Sequence, residues 1–265
     1  MAQSLSEARQ ADIVPSPLYA WVNKHAVLPE RFRVEPDADD LPAVDASSRE
    51  WSVSVALDEA VPLHAIAGAN WRSLAETRRA TNDYLKQADA LIDGLWGATL
   101  DSEERDLILS TLGQPPAFCL PIYIVSVGEG EEEQVVYVGK TRSSTRFANG
   151  HSVGLKLHHP RYGQLVKTVY RCSVLLDVHD EYVALEWVEP EALAEEILDS
   201  VESVLIHALQ PSLNVAKRRR PGVDRPVHIH VQNYTKSVLL DGLMLWQRKG
   251  EPLTFVPAGN GREKT

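Results

Sequence analysis

Two short runs, Pro121-Ile-Tyr-Ile124 and Tyr137-Val-Gly-Lys-Thr141, separated by the acidic stretch Gly128–Gln134, constrain the fold of this chain more than any other feature. Each run sets a tyrosine among β-branched and apolar residues of strand type, and the glycine-rich acidic stretch between them reads as a turn, so the pair predicts a hairpin carrying two phenols. A hairpin needs further strands to be stable in water. Two are available downstream, at 169–176 and 182–188. Pro190 then opens a helix, being tolerated in a first turn, and that helix runs to about Leu209 before Pro211. The expected class is α/β of the α+β kind, with a small central antiparallel sheet flanked by helices.

The flanks read differently. Residues 1–50 are rich in Pro, Asp and Ala and poor in periodicity, which predicts partial disorder. A strand is expected at 51–56, a helix at 70–95, and a second helix after Asp101, where an N-cap and first-turn acids precede Leu107 and Ile108 and Gly113 supplies a stop. Apolar runs at 227–232, 238–246 and 253–256 can add strands to the core. The resulting division is 1–118, acidic and then mainly helical; 119–214, the block built on the hairpin; and 215–265, a basic extension packing on or beside it.

Charge sharpens that division. Net charge is −10, which by itself argues against a nucleic-acid partner, but residues 1–118 hold 10 basic and 19 acidic side chains, 119–214 hold 7 and 14, and 215–265 hold 10 and 4. Positive charge is therefore concentrated at the end, starting with Lys217-Arg218-Arg219-Arg220. Local charge of this kind holds a phosphate backbone; a solvated basic tail is the plain alternative. The apolar runs are short and broken by charge, and the first ten residues lack a signal-peptide pattern, so an intracellular location is expected. Cys119 and Cys172 sit in apolar strand-like runs and read as two buried thiols rather than a disulfide or metal site.

Glu202 is the one residue that periodicity singles out. Leu198, Leu205, Ile206 and Leu209 all fall within about 60° of it on a helical wheel, so its carboxylate faces an apolar stripe and needs a partner. A metal ion, a proton, or an ion pair with Arg142 or Arg146 would each serve. Tyr123 and Tyr137 either pack as strand aromatics or present their hydroxyls to one cleft. A phenol with an ordinary pKa of about 10 acts as a base only beside a cation or a second base, and Arg146 and His151 are of that type. Lys140 and Arg142 follow the second strand, where either can meet a phosphate. Asn214 ties the helix end to the hairpin or hydrogen-bonds in the site. The pairs His158-His159 and His228-x-His230 have no Cys or carboxylate at matching spacing, which disfavours zinc.

In order, PIYIV, YVGKT, R-F-A-N-G-H and E-S-V-L-I-H-A-L-Q-P-S-L-N resemble the motif series of the GIY-YIG nuclease family, over residues 121–214. That resemblance implies a three-stranded antiparallel sheet flanked by helices and metal-dependent hydrolysis of DNA phosphodiesters with one Mg²⁺ or Mn²⁺. It implies Glu202 as the metal ligand, Tyr123 as the residue that deprotonates or orients the attacking water, and Tyr137 as a second phenol at the phosphate. Arg146 would steady the phosphate, His151 would assist Tyr123, and Asn214 would support the site. The competing expectation is a non-cleaving nucleic-acid-binding or protein-interaction module on the same fold.

Overall fold

The computed structural model describes residues 16–33, 51–92, 94–95, 97, 99–145, 147, 152–178, 181–219, 227–247 and 253–256. In chain order these form α1 (Pro17–Asn23), β1 (Phe32–Arg33), β2 (Trp51–Pro62), a 3₁₀ turn (Leu63–Gly68), α2 (Leu74–Asp89), α3 (Ser102–Leu112), β3 (Ile122–Val127) and β4 (Gln134–Lys140). There follow α4 (Ser152–Leu157), β5 (Lys167–Val178), β6 (Glu181–Ala184), β7 (Val188–Glu189), α5 (Glu191–Leu209), β8 (Val227–Asn233), β9 (Leu243–Gln247) and β10 (Thr254–Val256).

The sheet is larger than the sequence suggests. Eight strands join in the order β10-β9-β8-β2-β5-β3-β4, with β6 also on β5, and every pairing is antiparallel except β2 with β8. The described part of residues 1–118 brings, beside the helices α1, α2 and α3, a long strand to this sheet. That strand, β2, lies in the middle of the sheet, between β5 of the hairpin block and β8 of the C-terminal extension. The boundaries at 118/119 and 214/215 are correspondingly not where the core divides, because ladder hydrogen bonds cross both.

Alternation sorts the two faces. Val53, Val55, Leu57, Ile122, Ile124, Val138, Cys172, Val174, Leu176, Ile229, Val231 and Leu245 turn to one side, where the apolar stripe of α5 buries them. On the opposite side, at the β3–β4 end, Tyr123, Val125, Val127 and Val169 pack under Ile66, Trp71, Phe147, Val153, Leu157, Tyr162 and Leu213. A separate cluster joins α1, α2 and α3 through Leu18, Trp21, Tyr84, Leu85, Ala88, Ile108 and Trp187. Both longer N-terminal helices begin with a reciprocal capping box, Ser73 with Glu76 and Asp101 with Glu104. Cys119 and Cys172 are buried free thiols. No helix among the described residues is long and apolar enough to cross a membrane.

The acidic turn has a structural use. Glu133 accepts hydroxyl hydrogen bonds from Ser126, Tyr170 and Ser237, each at 2.6 Å, and so ties the hairpin to β5 and to the segment after β8. Gly128, at φ +94°, makes the turn possible: a Cβ there would stand 2.8 Å from the Glu132 carbonyl oxygen.

A bulge interrupts β2 where Leu57 pairs with Cys172 and Glu59 with Arg171, leaving Asp58 between them. Asp58 Oδ2 accepts the Ser173 N–H at 2.7 Å, while Oδ1 is sealed from solvent with no hydrogen-bond partner among the described residues. Burial lifts this carboxyl to about 7, against the opposing pull of the Ser173 hydrogen bonds. Because the folded value exceeds the unfolded one of about 3.9, the folded state keeps a proton that the unfolded chain releases. Stability contributed here falls as pH rises from about 4 to about 7 and then levels off. The full shift corresponds to about 4 kcal/mol, and residual solvent contact brings the expectation to about 2 kcal/mol. Asp58→Asn flattens the wild-type dependence by that amount in urea midpoints measured at pH 5 and 8; identical slopes in the two proteins refute it.

Candidate active site

The register of the hairpin decides which side chains meet. Tyr123 pairs with Gly139 and Val125 with Tyr137, so the two tyrosines share a face on a cross-strand diagonal. Their rings stack, 5.9 Å between centroids and 27° between planes. The space for this contact is the missing side chain of Gly139: a Cβ would lie 2.6 Å from the Tyr123 hydroxyl and 2.8 Å from Tyr137 Cε1.

Two further aromatics complete an enclosure. Trp71 meets Tyr123 edge-on at 5.6 Å, Phe147 meets it edge-on at 5.2 Å, and Trp71 and Phe147 stack on each other at 4.3 Å. As a result Tyr123 is fully buried, whereas Tyr137 keeps part of its surface exposed. The expectation of two hydroxyls opening side by side into a cleft is met for the pairing of the rings but not for their exposure. Nothing in the sequence singles out Trp71, because the run from Asn70 reads as helix. The capping box places the helix start after Ser73, which leaves Asn70, Trp71 and Arg72 in an approach segment.

Asn214 ties down the strand that carries Tyr137. Its Oδ1 accepts the Val138 N–H and its Nδ2 donates to the Val138 carbonyl, both at 2.9 Å, while the Leu213 N–H reaches the Val136 carbonyl at 2.9 Å. The chain after α5 thereby closes the outer edge of β4. This is the tie from helix end to hairpin that the sequence suggests.

Glu202 emerges from α5, which packs against β4, and its side chain keeps 14% of its surface exposed. Among the described residues its ion-pair partner is Lys217, whose Nζ donates to Oε2 at 2.7 Å, while Arg142 of the expected pair is exposed in the loop after β4. Three features of the helix end place that ammonium. Gln210 turns the chain into the left-handed region, the Gln210 amide donates to the Arg218 carbonyl at 2.8 Å, and His207 Nδ1 lies 2.8 Å from the same oxygen. The basic run Lys217-Arg218-Arg219 is thus folded back beside Glu202, with Arg219 exposed. Lys140 lies on the face opposite the phenols and is paired with Asp199 of α5. Arg146, His151 and Arg220 lie outside the described residues.

Among the described residues no group of three or more His, Cys, Asp and Glu side chains is assembled, so a multi-ligand site of the zinc type has no donor set there. Glu202 offers a different kind of donor. It is a single partly solvated carboxylate with Oε2 engaged by the Lys217 ammonium, so a hard ion such as Mg²⁺, which keeps several of its waters and needs few protein ligands, would have to displace that ammonium or share the carboxylate with it.

Comparison with protein-family models, with curated proteins and with solved structures finds no match to this chain.

Proposed function

We propose that the protein is a divalent-metal-dependent endonuclease that hydrolyses DNA phosphodiester bonds, with residues 119–214 serving as a catalytic region of GIY-YIG type. One observation carries the reading. Three residues of the motif order meet around a single strand: Tyr123 stands across from Gly139, Tyr137 stacks on the Tyr123 ring, and Asn214 grips Val138 between them. The Glu202 helix packs against that same strand from the face opposite the phenols, so the two sides converge only at its outer edge.

Each residue then has a task. Tyr137, the more exposed phenol, faces the phosphate and the attacking water, and Tyr123 fixes the plane of its ring from below. Arg146 neutralises charge that grows on the non-bridging oxygens, and His151 takes or relays the proton lost by water. Bound at Glu202, Mg²⁺ would supply Lewis-acid stabilisation at the phosphate and the leaving oxygen. Attack by water and cleavage of the P–O3′ bond leave 5′-phosphate and 3′-hydroxyl ends. Lys217, Arg218 and Arg219, held beside Glu202 by His207 and Gln210, supply backbone contacts.

A second reading is favoured by two details, the complete burial of Tyr123 and the ion pair already formed by Glu202: a nucleic-acid-binding or interaction module that does not cut. Supercoiled plasmid separates the two. The nuclease reading expects nicked and linear products with Mg²⁺, none with EDTA, and ends that a ligase rejoins. Retention in a gel shift without cutting under any divalent ion supports the module instead.

A further inference from the structure

Beside the aromatic enclosure lies an open recess of about 520 Å³, lined by Trp71, Arg72, Glu76, Arg79, Asp83 and Ser144, with Thr77, Ala80, Pro116 and Ala117 filling its walls. We propose that this recess is a phosphate subsite in which Arg72 and Arg79 hold the nucleic-acid backbone next to the point of cleavage. The ligand class, a phosphodiester, rests on the nuclease reading; the recess itself belongs to the N-terminal region, where the sequence shows no motif.

Charge placement carries the inference. Arg171, nearly buried at 6% exposure, donates to the Glu59 carboxylate and to the Asn70 carbonyl and lies over the Trp71 ring. Arg72 is half-buried near it. Burial first, and the Arg171 guanidinium second, pull the Arg72 pKa below its ordinary value, with Glu59 opposing. Arg171 holds the Glu59 carboxylate, so the half-buried Arg72 guanidinium beside them adds an excess of positive charge in a partly desolvated place. An entering anion relieves that excess.

The recess also holds two acids, and Glu76 stays ionised there because hydrogen bonds from Ser144 and Ser73 outweigh its burial. Glu76 is engaged at both oxygens: Oε2 accepts the Ser73 hydroxyl at 2.8 Å and the Ser73 N–H at 3.4 Å, and Oε1 accepts the Ser144 hydroxyl at 3.2 Å. Asp83 lies one helical turn beyond Arg79, at the far end of the face of α2 that lines the recess. The cations of the recess that can meet a phosphate are Arg72 and Arg79. Trp71, the floor, also walls Tyr123, and the Ser144–Glu76 bond fixes the loop after β4 against the same helix.

The test is equilibrium binding of a fluorescent DNA duplex by the full chain in EDTA, so that nothing is cut, across about 50 to 200 mM salt. Removing one phosphate contact lowers the slope of log affinity against log salt by about one and weakens binding about five- to tenfold. Arg79→Ala and Arg72→Ala are each expected to do this, and Arg79→Lys to restore the slope. Arg79 is exposed, so its variants fold even where Arg72→Ala does not. Unchanged slopes in both alanine variants, or a wild type that binds no duplex, overturn the proposal. Inorganic phosphate is titrated in parallel: binding that needs Arg72 and Arg79 while the duplex slope ignores them assigns the recess to a free anion and overturns the backbone assignment. A slope that responds in a protein that never cuts plasmid refutes the nuclease reading and leaves the subsite standing.

Discussion

With Glu202 replaced by alanine, supercoiled plasmid remains intact in Mg²⁺, a loss of at least about 10³-fold, or roughly 4 kcal/mol of barrier. The thermal midpoint hardly moves, and the environment of the carboxylate says why. Glu202 keeps 14% of its side-chain surface exposed and its partner Lys217 keeps 30%, so breaking the pair returns the ammonium to water instead of stranding a buried charge. Pairs of that kind contribute about 0–1 kcal/mol. Glu202→Gln behaves like the alanine variant, because an amide retains the size and the hydrogen bonding but not the charge that draws a cation. Full cutting by either variant leaves Glu202 with only its tie to Lys217 and removes the metal from the mechanism.

That separation between a dispensable fold contact and an indispensable charge bears on what the sequence discloses. Periodicity shows Glu202 on an apolar stripe, and the stripe is there, with Leu198, Leu205 and Ile206 buried around it. It does not reveal Lys217, because the partner arrives after the helix ends at Gln210, through a left-handed turn whose path no repeat encodes. Local elements whose signals are chemical are legible for the same reason in reverse. The Asp101 cap, the Gly113 stop, the Pro190 boundary and the strands at β3, β4 and β5 each depend on residues within a few positions. Strand order depends on contacts remote in sequence, so nothing near Trp51–Pro62 announces that β2 lies between β5 and β8. Asp58-Glu59 even breaks its apolar pattern, because the bulge turns those acids away from the α5 side, and the strand reads as six residues instead of twelve. Trp71 is hidden by a helix expected to start too early, although Ser73 and Glu76 mark the true start.

Gly139→Ala is expected to damage both stability and cutting. The glycine is not there for backbone freedom, since its φ is not in the left-handed region, and an alanine fits the strand itself. The obstacle is the ring pair. The added Cβ stands 2.6 Å from the Tyr123 hydroxyl, 2.7 Å from its Cζ and 2.8 Å from Tyr137 Cε1, so both rings must move. Tyr123 has nowhere to go, with Trp71 and Phe147 against its edges, so the strain reaches Tyr137 or opens β3 from β4. Overpacking of this kind costs about 2–3 kcal/mol, a fall of roughly 5–10 °C in thermal midpoint for a chain of this size. A displacement of about 1 Å at a reacting group lowers rate about 10²-fold. Gly154→Ala, in α4 with nothing within 4 Å of the new atom, is the control and is expected to be neutral or stabilising. Truncating the obstruction in the double variant Gly139→Ala with Tyr123→Leu recovers stability without recovering cutting, because the ring that orients Tyr137 is gone. Recovery of both separates Tyr123 from the chemistry and leaves Tyr137 as the only phenol the site requires.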